Sequence, residues 1–436
     1  MNARISDYQQ AAARYIDNLP REGGDWLADT RQAAMLRFGE LGFPHAKQEA
    51  WKYTGIDGLL QNGFETTDID ITHAVARDTV RGHCLEEPVS ARLVFLDGIY
   101  QADLSNCEAV GITLGSLRAA MAAGEREVLE AVGTLSGIGE HGFAALNLAT
   151  LHDGAVIRIA RGTQLERPIE LLHLATDGAA GQALRTRHLI VLEADASASL
   201  IERYAALDDE TAYFNNLVCE VTLGERATLR HQRVQMESRR AYHLCELHLG
   251  LQADARYQGV NAAIGGAWSR TTIHCRFADQ GAACELDGLY LAGDGQLTDF
   301  HLDVDHAVPR CASRENFKGI VHGAGKAVFD GLIRVREQAQ KSDAHLHNAN
   351  LMLSRRAEVD TKPQLVILAD DVQCSHGTSV GQLDPQAIFY LRSRGLDEAK
   401  ARQLLCLGFA DEIVARFDSE AIRTTLSQAI RKQVVV

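Results

Sequence analysis

Apolar and polar positions along the 436-residue chain fall into three regimes. To about residue 85 apolar residues recur at three- and four-residue steps, the period of a helix with one buried face. Ser6 can cap a helix that carries Tyr8, Ala12, Tyr15, Ile16 and Leu19 on that face. A second helix is predicted from Thr30 to Leu41, ended by Gly42 and followed by Pro44. The stretch ARLVFLDGIYQADLS at 91–105 reads as a hairpin, two apolar strands turning at Asp97-Gly98. Helical character returns between Leu114 and Leu148. Residues 1–150 therefore form a mostly helical N-terminal region with one hairpin.

From 151 to 380 the pattern changes to short strands bounded by Gly, Asp or Glu, such as HLIVLEAD, NLVCEVTL, HLCELHLGL, TTIHCRF and QLVILADD. A unit of turn, alanine and strand recurs at Ala155, Ala198, Ala227, Ala255, Ala283, Ala327 and Ala357, in steps of 43, 29, 28, 28, 44 and 30. Near-equal steps are what stacked coils produce, because each coil must return to the same place. The two long steps are about one and a half units, as a half-coil or an insertion would give. A β-sandwich with turns every 8–12 residues is the competing arrangement. The equal spacing favours a right-handed parallel β-helix, and only seven prolines interrupt its ladders.

Residues 381–436 return to helix. Asp384 caps with Pro385 in first position, Gly395 stops that helix, and Asp397 opens the next, placing Leu404, Leu405 and Leu407 inward. Ser419 begins a last helix with Ile422, Leu426 and Ile430 at four-residue spacing.

A net charge of −14, with no block of Lys and Arg, argues against nucleic acid or an anionic membrane as partner. The N-terminus has no secretory pattern and no run of about 18 apolar residues occurs, so a cytoplasmic protein is expected. Nine cysteines at irregular spacing, without a C-x-x-C pair, point to reduced, mostly buried thiols rather than a disulfide framework or zinc ribbon.

Few residues suggest chemistry. Cys374 and His376 share one face of a predicted strand and could hold a soft or borderline metal such as iron. A half-buried cysteine beside a carbonyl-bonded histidine is the simpler reading, since two ligands do not complete a tetrahedral site. His345 and His347, with Asp343, have the same geometry and read as a solvated strand face; Asp303, Asp305 and His306 read as surface. Trp51 and Tyr53 in EAWKYT suit core packing or a partner contact. Gly323-Ala324-Gly325-Lys326 is followed by alanine, so it is not a phosphate loop. No self-contained catalytic set appears, and a non-catalytic protein is expected.

The stretch from NFKGIVHGAGKAVFDG through DDVQCSHGTSVGQLDPQAIFYLRSRG resembles the shared region of the SufB/SufD family of the SUF iron–sulfur cluster assembly system. EAWKYT at 49–54, FLDGIY at 95–100 and FAALNLATLHDGAVIRIARG at 143–162 extend the resemblance over most of the chain. Within the family it is similar to the SufD type. Ala349 stands where the SufB type carries cysteine, and only His376 remains of an acidic E-H-E triplet.

The resemblance implies a scaffold subunit of a SufBCD complex. It would pair with SufB, dock the SufC ATPase through its C-terminal helices, and bring His376, with Cys374 near it, to a transient iron or nascent cluster site at the SufB interface. Candidate docking residues are Phe389, Tyr390, Arg392, Arg394, Leu404, Leu405 and Phe409. No cofactor is expected to be stably bound. Reduced flavin is associated with the assembled complex, but no flavin site can be placed here. The isolated chain, its solenoid edge free, could self-pair as a homodimer. Two rival readings are a β-helix carbohydrate-active enzyme, such as a polysaccharide lyase, and a SufB-like protein holding a cluster by itself.

Overall fold

The computed structural model describes residues 24–65, 75–106, 109–139 and 141–434, together with Gln10, Ala13 and Arg14. The predicted face of Tyr8, Ala12, Tyr15, Ile16 and Leu19 lies outside the described residues, as does Cys107. Helix α1 (Gly24–Leu41) contains the predicted second helix and stops at Gly42, whose φ is +61°. Two short helices follow, α2 (Asp57–Asn62) and α3 (Arg77–His83). The hairpin is present as β1 (Ala91–Leu96) and β2 (Ile99–Tyr100), with Asp97 and Gly98 both at positive φ. Leu114, predicted to begin a helix, instead lies in strand β3 (Ile112–Ser116). Ile112 and Leu114 alternate at period two, and the strand lies antiparallel on the first coil. Helices α4 (Leu117–Ala122), α5 (Arg126–Ala131) and α6 (Gly142–Ala149) come after it.

The remaining strands wind alternately through two sheets. One sheet continues from β1 through β5 (Ile169–Ala175), β7 (Ser197–Ala206), β9 (Thr228–Met236), β11 (Arg256–Ala263), β13 (Ala283–Ala292), β15 (Ala312–Val321), β17 (Asp343–Met352) and β19 (Gln373–Gly381). The other runs from β3 through β4 (Ala155–Ile159), β6 (Ala183–Leu192), β8 (Phe214–Leu223), β10 (Tyr242–Leu251), β12 (Trp268–Phe277), β14 (Leu297–His306), β16 (Lys326–Val335) and β18 (Glu358–Ile367). Apart from β2 on β1 and β3 on β4, neighbouring strands are parallel. The chain is thus a β-solenoid of about 8 turns, flanked by an N-terminal α/β region and C-terminal helices.

This winding explains the repeat. Steps of 28–30 residues return the chain to the same sheet, whereas the steps of 43 and 44 cross from β4 to β7 and from β13 to β16, on opposite sheets. One corner of six successive coils is left-handed, at Asp195, Arg226, Asp254, Gly281, Arg310 and Lys341. The corner backbone also pairs from coil to coil, Asp195 N–H to Glu225 O and Arg226 N–H to Ala253 O, which holds non-glycine residues in that conformation. The next residue is small and buried each time: Ala196, Ala227, Ala255, Ala282, Cys311 and Ser342. A tight corner has room for no more.

Inward positions of both sheets form one apolar core along the solenoid. Helices α7 (Pro385–Ser393), α8 (Glu398–Val414) and α9 (Glu420–Val434) complete the chain. The predicted caps are present: Asp384 accepts from Gln386 N–H and Asp397 from Lys400 N–H. Ile413, Ile422, Leu426 and Ile430 pack on Val234, Val260, Leu289, Ile320 and Leu351, the outer face of the β19-containing sheet. Leu404 was expected inward but is exposed. Ala401, Cys406, Ala410 and Ile413 take the buried stripe of α8, and Leu405 and Leu407 are half-buried. Phe38, Phe43, Trp51 and Phe143 cover the opposite sheet.

One other reading is corrected. His306 is not a surface residue: it faces the core against Phe277 and Ser313, and burial lowers its pKa to about 4. Asp303 and Asp305 do face outward, paired with Arg334 and Arg336. Trp51 is buried, and the Arg270 guanidinium lies 3.9 Å from its ring centre. Among the described residues every cysteine is free, and only Cys84 and Cys374 are less than fully buried.

The core is not wholly apolar. Glu202 on β7 bonds His231 Nε2 at 2.7 Å and Arg233 Nε at 3.0 Å, and the Tyr204 hydroxyl donates to it as well. Arg233 also reaches Cys245 Sγ at 3.0 Å, and His231 Nδ1 meets the Tyr257 hydroxyl. Burial would raise the Glu202 pKa, but Arg233 and His231 outweigh it and hold the carboxylate ionised, well below its usual range. Further along, Tyr290, Asn348 and Asn350 form a neutral network.

Candidate functional site

The two ends of the solenoid differ. The first coil is covered by the β1–β2 hairpin and by antiparallel β3, with α4 behind it. The last coil, β18 and β19, has no further strand upon it among the described residues, so its backbone donors and acceptors face outward along the stack. Val366, Ile367, Leu368 and Val380 lie there exposed, Leu368 at 65%. Four large apolar side chains are thus exposed on the one uncovered coil, which makes it a candidate interaction surface.

Cys374 and His376 belong to that coil. Register pairs Cys374 with Ala344 and His376 with Leu346, both buried core residues, so the two side chains occupy inward columns of the stack. Because no coil lies above, His376 is exposed and Cys374 only half-buried against the core. Burial raises the Cys374 thiol pKa; the Ala344 backbone N–H opposes this and the Asp343 charge adds to it. The shared face is as expected. Among the described residues, neither side chain belongs to a group of three or more His, Cys, Asp or Glu donors close enough to share a metal ion.

The alternate positions face outward. His345 Nδ1 meets Ser375 Oγ at 2.5 Å and its Nε2 meets Asp343 at 2.6 Å, while Arg314 clamps Asp343 through two nitrogens. His345, His347, Ser375 and His376 line a groove of about 610 Å³ that reaches Asp287 and Arg416. Burial lifts the Asp287 pKa to about 6, against the pull of Arg416. Ala349, which the resemblance sets at the SufB-type cysteine position, faces away from Cys374, in register with Lys318 beneath α8.

The C-terminal helices supply the second surface. Helix α7 buries no residue; Phe389 is 75% exposed, and Tyr390, Arg392 and Arg394 are exposed beside it. Arg394 lies over the Tyr390 ring at 5.5 Å and Arg392 pairs with Glu398 at 3.4 Å. Leu404 adds to the exposed set. Leu405 and Phe409 are half-buried, and Phe409 packs internally, its carbonyl accepting from Lys318 Nζ at 3.1 Å.

The charged network around Glu202 and Arg233 was not expected from sequence. Its signal lay in alternation: Glu202 and Tyr204, and likewise His231 and Arg233, are polar pairs two residues apart whose side chains share a face. Which face is inward needed the register of neighbouring coils.

Residues 174–409 match the family model for the SUF system FeS cluster assembly SufBD core domain, and residues 3–171 match the SufBD protein N-terminal region. The chain is 32% identical over 414 residues to an iron–sulfur cluster assembly SufBD family protein of Synechocystis, covering 93% of this chain and 90% of the relative. It is 32% identical to the iron–sulfur cluster assembly protein SufD of Escherichia coli, covering 90% of this chain and 89% of that one. Protein ABCI7, chloroplastic, of Arabidopsis thaliana is also 32% identical, over 64% of this chain and 60% of its own length. With both parts of the family matched along the chain, and relatives covered almost end to end, this protein belongs to the SufBD family of the SUF iron–sulfur cluster assembly system.

Proposed function

We propose that the chain is a non-catalytic, SufD-like scaffold subunit that pairs with a SufB-type chain through its last coil and docks a SufC-type ATPase on α7 and α8. The uncovered coil carries this reading. Its strand edges can be extended by a second solenoid, and Val366, Ile367, Leu368 and Val380 supply apolar surface for the contact. The exposed Phe389, Tyr390 and Arg394 on α7 have the aromatic and arginine character of binding anchors. Co-expression tests both surfaces. Ile367→Lys with Val380→Lys should release the SufB-type chain and retain the ATPase, whereas Phe389→Ala with Tyr390→Ala should do the reverse. Retention of both partners by either double variant would sink the corresponding assignment.

At that junction His376 offers an imidazole and Cys374 a thiol that must lose its proton to bind metal. Iron or a nascent cluster is cargo here, and its remaining ligands would come from the partner chain. His376→Ala should leave the complex assembled but lower its iron content by about tenfold, the scale on which loss of a supporting metal contact acts. Iron per complex equal to that of the parent protein would remove His376 from the site.

A further inference from the structure

A second cluster of donors lies on the outer face of the other sheet, away from the last coil. Glu246 and His248 are two residues apart on β10 and so share one face. On β12, His274 is the register partner of His248, and the two imidazoles stack with centroids 4.6 Å apart and planes 8° from parallel. One ligand atom from each of Glu246, His248 and His274 lies within 4.8 Å of the other two.

We propose that Glu246, His248 and His274 form a binding site for a divalent transition-metal cation of the zinc and iron(II) class. Two imidazoles and one carboxylate are the donor types such ions take, and three protein ligands leave a position for water. Three features separate this cluster from a chance grouping. The His248 side chain is only 7% exposed, and its Nε2 faces Glu246 Oε2 on the same strand at 3.4 Å, longer than a well-formed hydrogen bond. A buried imidazole nitrogen held to a carboxylate by so long a contact is left where a cation would satisfy both.

The Glu246 carboxylate is also oriented. Its Oε1 meets His141 Nε2, just before α6, and Trp51 stacks edge-on against His141 at 5.4 Å. This is the arrangement of a ligand fixed by a supporting hydrogen bond. Arg270 is ion-paired with Asp299 at 2.6 Å and Arg334 with Asp303 at 2.7 Å, so neither bonds the three donors. Asp303 in turn lies 3.8 Å from His274 Nδ1. A cation held by all three side chains would tie β10 to β12.

The full-length chain, stripped with chelator, would be titrated with zinc(II) against a chromophoric competitor and with cobalt(II) by visible absorption. One equivalent should bind, with a cobalt spectrum showing nitrogen and oxygen ligation and no thiolate band. His274→Ala, on the half-exposed ligand, should weaken binding at least about tenfold. His274→Gln carries the same expectation should the alanine variant not fold. His376→Ala, at the proposed iron site, should bind as the parent does, which keeps the two sites distinguishable. Absence of zinc binding by the parent, unchanged affinity in the folded His274 variants, or loss on His376→Ala would overturn the assignment.

Discussion

Glu202→Ala should cost the protein about 3–5 kcal/mol, the loss expected when one member of a buried ion pair is removed. The carboxylate is fully buried and accepts from His231, Arg233 and Tyr204. Without it, Arg233 keeps Cys245 Sγ as a weak partner in a site with 5% exposure. The guanidinium cannot shed its charge, so the desolvation penalty falls on the folded state. Urea unfolding followed by circular dichroism checks this through a fall in midpoint at constant slope. Glu202→Leu combined with Arg233→Met should recover most of the loss, because an apolar pair of similar volume suits the surrounding core. If Glu202→Ala alone lost less than about 1 kcal/mol, the ionised network described here would be wrong.

Glu315→Gln should change how stability depends on pH. Glu315 is inward-facing on β15, 2% exposed, and stacked by register between Leu286 and Leu346. Burial pushes its pKa from 4.5 up to about 8, and Ser313 and Arg314 pull it down less than burial raises it. The folded state therefore holds a proton that the unfolded chain releases above about pH 4.5. Its contribution is fully present below that pH and declines as pH rises to about 8, by a total on the order of 5 kcal/mol. Glutamine has no proton to lose. The difference between variant and parent should be small near pH 4.5 and should grow to several kcal/mol in the variant's favour by pH 8. A difference independent of pH would show that Glu315 is solvated or paired.

Much of this architecture is legible in the sequence because a solenoid repeats one physical demand. Six successive coils share a left-handed corner followed by a small residue, and Ala227 and Ala255 record that need directly. Even the irregular steps have a structural meaning, since Ala155 and Ala198 open strands on opposite sheets. The caps at Asp384 and Asp397 are local and were readable for that reason.

What escaped the sequence depends on distant neighbours. Leu404 belongs to an apolar run, and only the position of the solenoid decides that Cys406 and Ala410 face it instead. His306 follows two aspartates that face solvent, yet period two turns it into the core. At the open end, the shared face of Cys374 and His376 followed from alternation alone. Their exposure followed from the absence of a ninth described turn, which no local pattern announces.

Unequal ends also set how far assembly can proceed. A stack adhesive at both ends would propagate into a fibre, as edge-to-edge strand addition does in cross-β aggregates. Here the hairpin at Asp97-Gly98 and the antiparallel β3 blunt one terminus, leaving the last coil as the parallel end without a further strand among the described residues. On the proposed pairing, joining two such chains consumes both uncovered faces, so polymerisation would stop at the pair.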